Sequence, residues 1–461
     1  MRVIWGEQEH SAPDKSWSAG DAVVLKQNEQ YNESFKAPGV WLLNAGAAKH
    51  KELLTKSWQE ARWRRAGLMQ RKQLTSVRLY RVVVCHLQIV HLARIAPGKE
   101  QETLKRLNSD YGVVSSGRDQ ESGASWSSDR LLQLVAKHAV FALYALEIDI
   151  GEIIIALGGD GRSEPVRAMP DIANAELKRA AADEFIRWYR QTAKSYPALS
   201  QKLLLGADPE FALLTAGGKI AMASRYFGSG KGGAAGADTM RIAGKLLYPI
   251  AELRPEPASD PEALIVNVRR LLQYSQRRIT NSQLRWVAGA MPVPGLALGG
   301  HIHISGVPLT TRLLRLFDSC IAYPLALVED EAGRKRRPRY GMLGDYRLQA
   351  HGGFEYRTLP SWLVSPLAAK AAVALAALCA KEALTLAYVP AAEEKYEAAY
   401  YNGDRTELQA GLDDIIKVVT SAGQYAAYAK WIDPLFEAAK KGRVWNEQSD
   451  FREKWRISAR K

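Results

Sequence analysis

The chain has 461 residues, of which 47% are hydrophobic and 24% charged, a globular composition with enough apolar residues for two or three domain cores. Its formal net charge of +14 favours an anionic partner such as a nucleotide or polyanion, yet the basic residues form no long tract and no RNA-binding or helix-turn-helix signature. The three cysteines, Cys85, Cys320 and Cys379, lie too far apart for a disulfide framework or a cysteine-based zinc site, which fits a reducing cytoplasm.

The N-terminus has no apolar signal core. The first 55 residues are weakly patterned, with a short strand expected at 22–25. The Trp- and Arg-rich segment 57–69 predicts a helix. The β-branched run 77–95 predicts a hairpin or one long bent strand. Residues 108–127, rich in Ser, Gly and Asp, predict a loop. An amphipathic helix is expected at 129–146, a strand at 152–157, and a helix at 175–193 capped by Asn174. Gly158-Gly159-Asp160-Gly161 predicts a hairpin turn.

A boundary falls near 197–203. Beyond it, a strand at 203–214 pairs with 219–222, and a Gly-rich loop spans 227–238. A strand at Glu252, a helix at 261–279, a Pro/Gly loop at 291–298 and a strand at His301 follow. A helix at 310–328, a basic loop at 334–344, a strand at Glu355 and an Ala-rich helix at 365–388 come next. Lys370 and Lys381 break that last apolar stretch too often for it to span a bilayer. Residues 391–461 predict helices with an aromatic, basic tail. The expected domains are 1–198 (α+β), 199–390 (the chemistry-bearing domain) and 391–461 (a helical extension).

Four segments of the middle domain share one pattern. Asp208 and Glu210, Glu252 and Arg254, His301 and His303, and Glu355 and Arg357 are each separated by one residue. On a strand, residues i and i+2 point to the same face, so each segment presents a polar pair on one side. Two adjacent carboxylates repel unless a cation lies between them, and magnesium prefers such oxygen ligands. Taken singly, each pair also reads as an exposed acidic strand, a surface ion pair or a structural histidine pair. Glycines on both sides of His301-Ile302-His303 permit close approach of a ligand or backbone. Carboxylate partners favour magnesium over zinc. Arg336, Arg337, Arg339 and Arg347 are candidate phosphate contacts upstream of Glu355. The glycine-rich stretch 227–233 is not a P-loop, because the first glycine is absent and Gly232 stands at the Ser/Thr position. It reads as a loop over a site, with Asp238 a candidate ligand at its end.

In this order the segments resemble the glutamine synthetase-like carboxylate–amine ligases, and most closely the phage-type carboxylate–amine ligase type 2 family of amidoligases. The resemblance covers roughly residues 200–390. It implies an α+β fold with a central antiparallel sheet of glutamine synthetase type backed by helices. It implies ATP and two or three Mg2+ ions, with Mn2+ as an alternative. Asp208, Glu210, Glu252, His303 and Glu355 would be metal ligands. Arg357 would face the γ-phosphate and share the catalytic role with Glu210 and Glu252. His301, Arg254, Arg337, Arg339 and Arg347 would contact the nucleotide. The chain lacks a recognisable ammonia-site aspartate loop and a long N-terminal β-grasp domain, so neither the amine nor an oligomeric assembly carries over.

The N-terminal stretches Tyr80-Arg81-Val82-Val83-Val84 and residues 142–151 are similar to the C-terminal lobe of an ATP-grasp ligase. Ile153 and Ile154 stand where a metal-binding acid would, and residues 164–170 lack the Asn, which implies a catalytically degenerate lobe. The function expected is an ATP-dependent ligase joining a carboxylate to an amine on an amino acid, peptide or protein side chain. The alternatives are a non-catalytic nucleotide- or metal-binding scaffold and a basic nucleic-acid-binding protein. No membrane partner is expected.

Overall fold

A computed structural model describes residues 2–5, 20–25, 40–70, 73–102, 120–121, 127–192, 194, 198, 200–229, 232–242, 245–386 and 393–457. The chain forms two compact units, Met1–Ser195 and Tyr196–Lys461. The α+β class expected from the sequence is observed, with antiparallel sheets backed by helices.

In the first unit, β1 (Val3–Trp5), β2 (Ala22–Val24) and β3 (Trp41–Leu43) form a small parallel sheet. A five-stranded antiparallel sheet has the order β6-β5-β4-β7-β8. Its members are β4 (Arg78–Cys85), β5 (Gln88–Arg94), β6 (Gln120–Glu121), β7 (Ile150–Leu157) and β8 (Ser163–Met169). The run 77–95 is thus a hairpin, turned by His86 and Leu87, both at positive φ (49° and 72°), the backbone a two-residue type I′ turn requires. The β7–β8 connection closes through Gly158, whose N–H donates to the Arg162 carbonyl (2.8 Å), the hairpin expected there. Among the described residues, helices α1 (Lys56–Arg65), α2 (Arg130–Ala145) and α3 (Ala175–Gln191) accompany the sheets. Asp129 and Asn174 cap α2 and α3 by accepting two backbone N–H bonds each. Val83, Cys85, Ile150 and Phe185 form the shared core with residues of β2 and β3. The only charged side chain inside the apolar strand β7, Glu152, pairs with Arg81 at 2.6 Å, as a buried carboxylate must. Most of the loop expected at 108–127 lies outside the described residues.

The second unit is built on an eight-stranded antiparallel sheet ordered β11-β12-β9-β14-β16-β15, with β10 and β13 also pairing with β9. Its central strand is β9 (Leu204–Leu214), and the short strand β10 (Ile220–Ala221) pairs with that strand's end. The others are β11 (Ala235–Ile242), β12 (Lys245–Leu253), β13 (Arg285–Val287), β14 (Gly300–Ser305), β15 (Tyr346–Leu348) and β16 (Phe354–Tyr356). Strand β11 begins inside the segment expected to be loop. Its small residues give the stretch a loop-like composition; a Cβ on Gly236 would come within 2.7 Å of Arg254 Nη2, so the glycine leaves room for that guanidinium beside the edge.

Helices α4 (Pro261–Arg278) and α7 (Pro366–Glu382) back the sheet, each with proline in its first turn and Asp260 or Ser365 as N-cap. The Ala-rich α7 is buried for most of its length. The helix expected at 310–328 is interrupted. It forms α5 (Thr311–Phe317), a π-helical turn Asp318–Ala322, and α6 (Tyr323–Val328). Pro324 has no N–H to give the α-ladder, and its ring crowds the carbonyl one turn back, so a wider turn precedes it. The remaining helices are α8 (Glu394–Asn402), α9 (Arg405–Ala410), α10 (Leu412–Thr420), α11 (Tyr425–Lys440) and α12 (Arg452–Trp455).

The final segment ties this unit together. Trp445 N–H donates to the Val328 carbonyl, Arg452 to the Leu284 carbonyl, and Trp455 Nε1 to the Leu363 carbonyl, each at 2.8 Å. Buried Glu447 accepts from the backbone N–H groups of Met291 (3.1 Å) and Asp330 (3.2 Å). Its side chain fills the space a Cβ on Gly289 would need, at a φ of +123°.

Candidate active site

The four paired segments sit on four strands that are neighbours in the sheet, in the order β12, β9, β14, β16. Antiparallel register places Glu252 opposite Glu210, His301 opposite Asp208, and His303 opposite Glu355. Directly opposed residues share a face, so the same i, i+2 alternation that built each pair gathers all of them on one side of the sheet.

Two ligand sets result. Asp208, His303 and Glu355 each offer an atom within 4.8 Å of the others, and Glu210, Asp238 and Glu252 do the same. His301 Nδ1 lies 3.0 Å from Asp208 Oδ1 and 3.2 Å from Glu355 Oε1, and His303 Nε2 lies 3.3 Å from Asp208 Oδ2. These four residues' facing atoms are buried, close, and yet not aligned for hydrogen bonding. Held together as ion pairs with poorly aligned hydrogen bonds, the same donor atoms could instead converge on a divalent cation. Oxygen-rich sets of this kind fit Mg2+ or Mn2+ better than Zn2+.

The electrostatics report the same crowding. Burial pushes the Asp208 carboxyl upward, but the imidazoles of His301 and His303 outweigh it and hold the group well below the usual carboxylate range. Burial works against a charged His301, but Asp208, Glu355 and Glu210 overcome it and raise the imidazole to about 10. Glu210 is pushed up to about 7, first by burial and then by Asp238 and Asp208, against the opposing pull of His301 and of the Gly299 N–H, which donates to it at 2.6 Å. Glu252 is also raised, by burial and by Asp208, although Arg254 Nε sits 2.6 Å away.

Arg357 and Arg347 flank Glu355. Arg357 Nε is 3.3 Å from Glu355 Oε1, and Arg347 makes a close ion pair with Oε2. Both guanidiniums keep solvent exposure, 31% and 47%, which leaves them able to meet a ligand. The other three candidate arginines go elsewhere, and buried Arg336 donates to the carbonyls of Thr358 and Leu359. Arg337 pairs with buried Glu329, donates to the Tyr400 carbonyl at 2.7 Å and lies 4.3 Å over the Tyr400 ring. Arg339 is exposed and packs 5.1 Å over Tyr340. Asp238 enters the second ligand set from a strand rather than from a loop end. Gln349, which nothing in the sequence marked, donates to Glu355 Oε2 at 2.9 Å.

Residues 205–457, more than half of the chain, match the family described as phage phiEco32-like COOH.NH2 ligase-type 2. The chain belongs to this family. Every residue of the two ligand sets, with Arg347 and Arg357, falls inside the matched span. By its description the family is one of carboxylate–amine, and so carbon–nitrogen, ligases. Among solved structures, the chain is similar to a bifunctional glutathione synthetase from Pasteurella multocida, at 11% identity and a TM-score of 0.36, over 57% of this chain and 53% of that one. The chain thus spans about half the length of that structure. No curated protein matches the chain. Among the described residues no helix is long and apolar enough to cross a membrane.

Proposed function

We propose that the protein is an ATP- and Mg2+-dependent carboxylate–amine ligase that forms an amide or peptide bond through an acyl phosphate. The observation that carries this reading is the convergence of two three-residue ligand sets and two arginines on one sheet face, within the span of the ligase family. Asp208, His303 and Glu355 would hold one divalent ion, and Glu210, Asp238 and Glu252 another. Such ions, Mg2+ or Mn2+, neutralise phosphate charge when bound.

The protein's own groups do the positioning. Arg357, with Arg347 beside it, meets the phosphoryl group, whose charge spreads over three oxygens during transfer. A substrate carboxylate oxygen attacks the γ-phosphorus, and the bond to the β–γ bridging oxygen breaks to release ADP. The amine nitrogen then attacks the acyl carbon, phosphate leaves, and the amine's proton passes to solvent. No side chain needs to become covalently attached, which suits a face made of ligands and guanidiniums. ATP, one acid and one amine are the partners this reading requires. A reducing compartment is part of it, since all three cysteines are free and buried.

The test is ADP release from ATP across a panel of acids and amines. Release is expected only when the matching acid and amine are both present, and Glu210→Gln and Arg357→Ala are each expected to lower it at least a hundredfold. Turnover that survives both substitutions refutes the site.

A further inference from the structure

Unit two holds a cavity of about 220 Å³ between α6, the 3₁₀ turn Glu331–Arg336 and α9. None of its lining residues belongs to the two ligand sets. Six of them are charged: Glu329, Asp330, Glu331, Arg334, Arg337 and Arg405.

Some of these charges are already committed. Buried Arg337 and Glu329 pair with each other, and Arg405 donates to the Glu329 backbone carbonyl. Asp330 Oδ1 accepts from Ala332 N–H at 2.9 Å, which fixes the start of the 3₁₀ turn. Arg334 and Glu331 differ: their side chains make no ion pair or hydrogen bond among the described residues, and both are exposed at the rim. The lining therefore balances in charge, with one uncommitted group of each sign. A simple anion would face three carboxylates there, and a simple cation three guanidiniums. A small ligand carrying both charges avoids either cost.

We propose that this cavity binds a free α-amino acid, its carboxylate toward Arg334 and Arg405 and its ammonium toward Glu331 and Asp330. The occupant would sit against the turn that leads to Arg336. Arg336 donates to the carbonyls of Thr358 (2.6 Å) and Leu359 (2.7 Å), immediately after Arg357. An amino acid bound here therefore bears on the backbone that carries Arg357, from a place outside the carboxylate face.

The test is calorimetry on the full-length chain without added metal or nucleotide. Each of the twenty common amino acids is titrated separately, with acetate and methylammonium as probes of one charge at a time. At least one amino acid is expected to bind saturably, at least tenfold tighter than either probe. Arg334→Glu and Glu331→Lys are each expected to weaken it at least tenfold, and Arg357→Ala to leave it within twofold. Both rim positions are exposed, so these variants keep the wild-type circular dichroism. The proposal fails if no amino acid binds saturably, if acetate binds as tightly, or if Arg334→Glu binds like wild type. It also fails if Arg357→Ala abolishes binding, which would assign the amino acid to the ligase site instead. None of these outcomes depends on turnover, so the ligase reading stands or falls separately.

Discussion

Glu210 couples the ligand sets to pH. Its carboxyl ionises near 4.5 in an open chain and at about 7 when folded without metal. Between those values the folded state holds a proton that the unfolded state has lost, so metal-free stability falls as pH rises through that window. A shift of this size corresponds to roughly 3 kcal/mol. Mg2+ binds the ionised form and competes with the proton. The rise in Tm on adding Mg2+ is therefore expected to be larger at pH 8 than at pH 5, and an equal rise at both would show that Glu210 is not a ligand. Asp238 supplies an opposite-signed test. Its carboxylate faces Glu210 and Glu252 with no basic partner in the set. Asp238→Asn is expected to stabilise the metal-free protein by about 0.5–1 kcal/mol, by relieving like-charge repulsion, while shrinking the Mg2+-induced rise in Tm. Urea denaturation with and without Mg2+ reads both effects.

Whole elements decide whether those residues can meet. The paired segments were legible in the sequence because a strand's period of two depends only on local backbone. Their union followed only from the family resemblance, and which residue faces which was not legible, because register is set by partners distant in the chain: Asp208 meets His301, and His303 meets Glu355. Asp238 was misplaced at a loop end because Gly236 hides a strand behind a loop-like composition. Arg337 and Arg339 stood near Glu355 in sequence, but the turn after the 3₁₀ segment directs Arg337 to Glu329 and Tyr400. The π-helical turn also left no periodicity to find. It nevertheless supports the site from behind: Asp318 accepts from the Tyr356 hydroxyl at 2.6 Å and from Gly344 N–H at 2.9 Å. Tyr356 lies between Glu355 and Arg357, on the opposite face of β16. Tyr356→Phe removes a hydrogen bond from a buried carboxylate and is expected to cost about 1–3 kcal/mol of stability, measured by chemical denaturation. A cost below about 0.3 kcal/mol, under the ~0.5 kcal/mol that a single net bond contributes, would show that the pair does not brace the strand.

At the scale of the molecule, the last residues behave as part of the second unit's core. Phe451 meets Trp286 and Phe211 edge-on at 6.1 and 5.7 Å, Trp455 is buried, and Glu447 holds two backbone amides. Ending the chain after Arg443 removes the two buried aromatic groups Phe451 and Trp455, each worth about 3–5 kcal/mol when lost from a core. The shortened protein is expected to lose the cooperative thermal transition of this unit. The sheet's strand order has a kinetic consequence as well. Strands β9, β12, β14 and β16 come from separated stretches of chain, and contacts of high sequence separation form slowly because loop closure must precede them. Here the contact between β9 and β12 brings Glu252 onto Glu210, so that pairing works against charge at neutral pH. A divalent ion, or protons at low pH, would remove that opposition as the strands meet, making the future ligand a participant in assembly before it takes part in chemistry.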